Sequence, residues 1–228
     1  MSLDIHLLSI VRPGEKPGYI KGAKVTTGLM SGACSAGRVY NRLMGSVKDK
    51  PDYWVLAHAD VEFPFDWHAN LKEAVKKIGW QVPEHGPLGV VGVRGNATGK
   101  EWYGQIWDKD REVGRGVFEA TRVDTLDEVC VILRSDRDWW LNDKDLMRHH
   151  LWATELCLRE SEDGHKSYVL PGLYLRHLSQ TPREVSDPAF YFNAGAIHTL
   201  HGKPGQAIAT TCCTIFDPGD DSGVQITS

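Results

Sequence analysis

Two periods of apolar residues alternate along the chain. Ile5 to Val11 is a mostly apolar run that reads as a first strand, stopped by Arg12-Pro13-Gly14 and a loop holding Pro17 and Gly18. The period then changes: Ala36, Val39, Tyr40, Leu43, Met44 and Val47 recur at helical spacing, with Ser35 in position to cap the helix start. Pro51 ends that segment, and Tyr53 to Ala57 forms a short strand of the kind covered on both faces. Asp66 signals the next helix start, and Trp67, Leu71, Ala74, Val75 and Ile78 share one face of it. The first eighty residues therefore predict a β-α-β-α alternation.

Further on, Pro87 introduces Leu88 to Val93, a glycine-interrupted strand. The polar, glycine-bearing stretch 95–116, with Trp102, Tyr103 and Trp107, reads as a long loop. Val129 to Leu133 predicts a strand, and Leu151 to Arg159 a helix ending near Gly164. Tyr168 to Leu170 and Leu173 to Leu175 are short strands leading to His177. Beyond Ser179 the pattern weakens and predicts no firm structure. The expected fold class is α/β, with a mixed, mostly parallel central sheet and helices on both faces. The expected division is one domain over residues 1–180 and a C-terminal extension over 181–228.

Composition narrows the functional classes. The chain has 228 residues, 41% hydrophobic and 25% charged, with a formal net charge of -4, and it carries no long Lys/Arg block. That balance argues against a nucleic-acid partner. No apolar stretch is long enough for a membrane span, and no basic-then-apolar leader is evident. The five cysteines show no CxxC pairing and sit mostly in apolar stretches, which points to a reducing, cytoplasmic setting.

The stretch WVLAHADVEF carries the first chemistry. His58 and Asp60 close an apolar strand, and a spacing of two returns both side chains to one side of an extended chain, where they could share a divalent ion. A hydrogen-bonding His and a turn Asp are the plainer alternative. Glu155 falls beside the apolar stripe of Leu151 and Leu158, where burial would suit it to general-base work; an i,i+4 pair with Arg159 is the alternative. Asp127 and Glu128, in TLDEV, precede a strand and could equally form a turn. Trp102, Trp107, Trp139 and Trp140 offer flat faces for sugar stacking, against a packing role for each. Arg134 and Arg176 could neutralise phosphate or simply make surface pairs. His198 and His201 read as surface residues, since the nearby Gly and Pro make a helix doubtful.

In order, WVLAHADVEFPFDWHANLKEAV, PLGVVGVRG, LDEVCVILRSD and ATELCLRESEDGHKSYVLPGLYLRHLS resemble the GT-A family of nucleotide-sugar glycosyltransferases, in its family 2-like inverting branch, over roughly residues 30–180. The resemblance implies a GT-A fold in which HAD stands where a DxD-type motif holds a metal on the donor diphosphate. Asp60 matches the final Asp, His58 replaces the first, and His177, in LRHLS, completes the metal shell. It implies Mn2+ or Mg2+ as cofactor, a UDP- or GDP-linked sugar donor, and a saccharide or other hydroxyl acceptor. Val11, Arg12, Ser35 and Asn41 become nucleotide-binding candidates, and Glu155 or Asp127 the catalytic base. Two departures stand out: Trp152-Ala153 occupies the place of a usual Glu-Asp pair, and the opening nucleotide-binding unit is shortened. Beside a metal-dependent glycosyltransferase, the sequence leaves open a non-catalytic GT-A-like sugar- or nucleotide-binding module and a metal-assisted hydrolase.

Overall fold

A computed structural model describes residues 3–30, 35–96, 98–143, 150–178, 188–218 and 224–227. The first half runs β1 (Ile5–Val11), β2 (Lys24–Leu29), α1 (Ala36–Ser46), β3 (Tyr53–His58), β4 (Val61–Glu62), α2 (Trp67–Gln81), β5 (Leu88–Gly89) and β6 (Val91–Asn96). There follow β7 (Gly99–Asp108), β8 (Arg111–Arg115), β9 (Thr121–Val123), β10 (Thr125–Leu126) and β11 (Cys130–Arg134). The chain continues through α3 (Trp152–Glu162), β12 (Ser167–Val169), β13 (Tyr174–His177), α4 (Pro188–His201), β14 (Ala207–Ala209), β15 (Thr214–Phe216) and β16 (Gln225–Thr227).

Strand alternation sorts the core into two layers around a seven-stranded sheet of order β2-β1-β3-β11-β5-β12-β9. From β3, Trp54 and Leu56 point to one face, where they meet Val39, Tyr40 and Leu43 of α1 and Trp152 and Leu156 of α3. Val55 and Ala57 point to the other, against Trp67, Leu71, Val75 and Ile78 of α2. A strand buried on both faces needs apolar residues at consecutive positions, which is why WVLA is continuous. The expected helices on both faces are present.

The expected parallel bias is not. β1 runs parallel to β2 and β3, and β5 to β12, but β11 is antiparallel to both β3 and β5, and β9 to β12. The sheet is therefore mixed, with antiparallel pairing at its centre.

Three more differences arise where packing overrode local pattern. β2 has no counterpart among the predicted strands, because KVTTGL is largely polar and sits half exposed at a sheet edge. The run Leu88–Val93 splits at Val90, where the chain passes from the seven-stranded sheet into a second one of order β10-β6-β7-β13-β4. The stretch 95–116, read as a loop, is mainly the β7–β8 hairpin. Its glycines misled the reading, since here glycine serves close approach. A Cβ on Gly104, at φ +84°, would lie 1.8 Å from the Val90 carbonyl oxygen.

The segment after residue 187 is also structured where no structure was expected. Phe190, Ala194 and Ile197 of α4 pack with Ile208 and Ile215 of the antiparallel β14-β15-β16 sheet, with Cys213 just ahead of β15 and with Leu151. Thr125 Oγ1 donates to the Ala209 carbonyl at 2.7 Å, tying this unit to the second sheet. His198 and His201 accordingly lie on a helix and are not surface residues: their side chains are 18% and 7% exposed. Ser35 caps α1 as expected, its Oγ accepting from Arg38 N–H at 3.2 Å, whereas Asp66 makes no such bond before α2.

Candidate functional site

Four chain segments meet at the carboxyl end of β3, the kind of position where α/β sheets gather ligands. His58 is the last residue of β3, and its N–H donates to the Val129 carbonyl at 3.2 Å. The chain turns through Ala59 and Asp60 into β4, which pairs antiparallel with β13 so that Val61 faces His177. The Asp60 carbonyl accepts from Leu178 N–H at 2.8 Å, which fixes the turn against the end of β13. On its other side β13 runs parallel to β7, with His177 opposite Asp108. Backbone pairing thus brings together residues more than a hundred positions apart.

His58, Asp60 and His177 each present one ligand atom, and these atoms lie within 4.8 Å of one another. His177 Nε2 is 3.4 Å from Asp60 Oδ1, and its Nδ1 is 3.2 Å from Asp108 Oδ1. The His58 and His177 rings are tilted, with centroids 5.5 Å apart. Beside them an open cleft of about 480 Å³ is lined by Pro17, Gly18, Tyr19, Asp60, Phe63 and Leu178.

The electrostatics separate the two imidazoles. Burial and the neighbouring His177 lower the pKa of His58, against the pull of Glu128, Asp60 and Asp127. Burial also works against charge on His177, but Asp60 first, then Asp127 and Asp108, raise its pKa. Burial pushes the Asp60 carboxyl up, yet His177 and His58 bring it below the usual range. The cluster therefore pushes His58 toward its neutral form and favours charge on His177 and Asp60. Two nitrogens and one carboxylate oxygen suit Mn2+ better than the harder, oxygen-seeking Mg2+.

The remaining candidates fall into different surroundings. Asp127 and Glu128 lie just ahead of β11, next to His58; Asp127 Oδ1 accepts from Val129 N–H at 2.9 Å, and Glu128 Oε2 from Leu151 N–H at 2.7 Å. Leu151 has φ +65°, an unusual conformation for a branched residue, immediately before α3. Glu155 is 3% exposed, with both carboxylate oxygens 3.2 Å from Arg159 Nη1 and Oε1 3.8 Å from His201 Nε2. Its carboxylate is held between α3 and α4.

Of the nucleotide candidates, Val11 is half-buried and its carbonyl accepts from Met30 N–H at 2.9 Å. Arg12 is exposed, with its backbone N–H on Glu15. Ser35 is buried at the α1 cap and donates to the Asp143 carbonyl at 3.3 Å. Asn41 clamps Leu141, accepting from its N–H at 2.9 Å and donating to its carbonyl at 2.8 Å.

The four tryptophans form two separate pairs. Trp102 and Trp107 lie on β7, Trp102 packed on the α2-side core and Trp107 exposed opposite Arg176. Trp139 and Trp140 follow β11: Arg137 lies over Trp139 at 4.6 Å, and Arg159 over Trp140 at 5.6 Å. Arg134 pairs with Asp136 and Arg176 with Glu62. The side chain that the sequence reading missed is Asp108. It closes an apolar-aromatic strand as His58 does, and the signal for it lies in YGQIWD, inside the glycine-bearing stretch that the sequence pattern assigns to a loop.

No protein-family model and no curated protein matches the chain. Among solved structures it is similar to the crystal structure of GalNAc-T7 with UDP, GalNAc and Mn2+. The TM-score is 0.53 at 11% identity, and the match covers 87% of this chain and 48% of that one. The fold is GT-A-like. The likeness extends to the fold alone, and this GT-A-like chain spans about half the length of that neighbour. Among the described residues, no helix is long and apolar enough to cross a membrane.

Proposed function

We propose that this GT-A-like protein is a metal-dependent glycosyltransferase that moves a sugar from a UDP- or GDP-linked donor to an acceptor hydroxyl. One observation carries the reading: the convergence of His58, Asp60 and His177 at the end of β3, beside an open cleft. Asp60 and His177 would hold Mn2+, with His58 as third ligand. When bound, the ion would offset the charge of the donor diphosphate and stabilise it as the leaving group. The cleft walls at Gly18 and Tyr19 border the place where the nucleotide would rest. Val11 and Arg12 at the end of β1, Ser35 at the start of α1 and Asn41 midway along it remain nucleotide-side candidates.

Asp127 is the preferred base, since its Oδ1 accepts from the N–H of Val129, the residue whose carbonyl receives the His58 N–H, which sets the carboxylate beside the proposed metal ligands. It would take the acceptor proton as the acceptor oxygen bonds to the anomeric carbon and the bond from that carbon to the diphosphate oxygen breaks. Inversion would follow from that single displacement. Glu155 is the less favoured base because Arg159 and His201 already engage it. Trp107, exposed on the strand that ends at Asp108, is the best-placed of the four tryptophans to stack on a sugar.

A second reading has its own support. Trp152 and Ala153, where the family has an acidic pair, are 2% and 0% exposed, and the Trp152 ring packs 5.2 Å from Tyr40. That is core packing, and it favours a binding module without transfer. Incubation with UDP- and GDP-sugars, Mn2+ and a set of saccharide acceptors separates the two. Transfer or slow donor hydrolysis that disappears in Asp60→Ala supports the enzyme, whereas donor binding with no turnover supports the module.

A further inference from the structure

We propose that Asp108 is the positioning residue of this metal site, holding the Nδ1–H of His177 so that the bare Nε2 faces Asp60 and His58. The inference rests on the reading of those three residues as metal ligands. An imidazole can present only one nitrogen to a cation, and the tautomer it adopts is set by the partner of the other nitrogen. Both ring nitrogens of His177 have a carboxylate within ion-pair distance. Nε2 faces Asp60 at 3.4 Å and Nδ1 faces Asp108 at 3.2 Å, from opposite sides of the ring.

The fold supports the arrangement from the backbone upward. The parallel β7–β13 register sets Asp108 directly beside His177, and Lys109, at φ +60°, turns the chain so that its N–H donates to the His177 carbonyl at 3.0 Å. The end of β7 therefore grips His177 by both main chain and side chain. The two side chains are 18% and 20% exposed, so water competes weakly for the contact. Asp108 and Asp60 are both acceptor-only when ionised, so in the metal-free ring they compete for the one N–H; a cation on Nε2 ends that competition, because the proton can then sit only on Nδ1, facing Asp108. Asp108 lies outside the group of three residues whose ligand atoms fall within 4.8 Å of one another, so it acts through His177.

An isosteric change separates this role from space filling. In Asp108→Asn the shape is kept, but the amide can donate to Nδ1 and so permit the wrong tautomer. Mn2+ affinity of the full chain, measured by calorimetry for the wild type, Asp108→Asn, Asp108→Ala and Asp60→Ala, is the first readout. The second is 15N NMR of His177 in the metal-free Asp60→Ala protein at alkaline pH, which removes the competing carboxylate and reports the tautomer directly. We expect both Asp108 variants to bind Mn2+ about 10- to 100-fold more weakly, the usual loss on removing such a partner. With Asp60 removed the ring should show Nδ1–H, and adding Asp108→Asn should bring in the Nε2–H form. Wild-type affinity in a folded Asp108→Asn, or an Nε2–H ring in Asp60→Ala, overturns the proposal. Failure of the metal reading looks different: the wild type then takes up no Mn2+, or Asp60→Ala binds it equally well.

Discussion

His177 Nε2 lies 3.4 Å from Asp60 Oδ1, joining the end of β13 to the turn after β3 across 117 residues of chain. In the metal-free protein a proton on His177 sits where the ion would go. Its pKa is raised, so protons compete with the metal below that raised value and withdraw above it. Mn2+ affinity should therefore climb as pH rises through the neutral range and level off once His177 is neutral. Calorimetric titrations at a series of pH values check this; a flat profile would remove His177 from the ligand set.

Asp60→Ala should abolish the Mn2+-dependent part of any thermal shift produced by a UDP- or GDP-linked sugar. A ligand at about a hundred times its dissociation constant stabilises by about 2.7 kcal/mol, which is ample for detection. His177→Ala should behave in the same way. If both variants kept the full shift, the donor would be bound without the ion.

Asp127→Asn and Glu155→Gln should part company in a transfer assay. Loss of a general base costs about 10²- to 10⁴-fold in rate, so Asp127→Asn should lose activity with donor binding retained. Glu155→Gln should keep the rate and lose stability, because the half-buried Arg159 and the buried His201 side chain would lose their carboxylate partner. The reverse result would move the base to α3.

His201, set between Glu155 and Glu162, makes the docking of α4 on α3 pH-dependent. The Glu155 carboxylate foremost, and then Glu162, raise its pKa over the opposing effect of burial. A raised folded-state pKa stabilises fully below the unfolded value, about 6.5, and the contribution fades as pH climbs through the folded value. The melting-temperature gap between wild type and His201→Gln should thus be largest in mild acid and close at alkaline pH. A gap that widened toward high pH would contradict the ion-pair account.

Gly104→Ala should destabilise by on the order of 1–3 kcal/mol, from the positive φ and the clash with Val90 O. Urea unfolding measures it. A neutral result would mean that β7 can move away from Val90.

Much of the frame is written in local pattern. The continuous WVLA run, the α1 and α2 stripes and the Ser35 cap are legible because each depends on period and on nearest neighbours. The hairpin of β7 and β8 is not, since its Gly104 marks close approach to Val90 and the sequence cannot distinguish that from a turn. β2 escaped notice because an edge strand buries too little to need an apolar run. For α4, apolar residues lie on nearly every side, so no stripe stands out until a partner is known.

The chain by itself determined which residues could bind a cation or move a proton: His58 and Asp60 at one strand end, His177 at another, and carboxylates at 127, 128 and 155. Tertiary structure decided which of them meet. Strand register set Asp108 beside His177 and brought Asp127 and Glu128 next to His58, while the docking of α4 delivered His201 to Glu155 and tied that acid to a structural pair. The physical reason is that ligand identity is a property of one side chain, whereas shared coordination needs atoms within a few ångströms, a distance that only pairing between remote strands can impose.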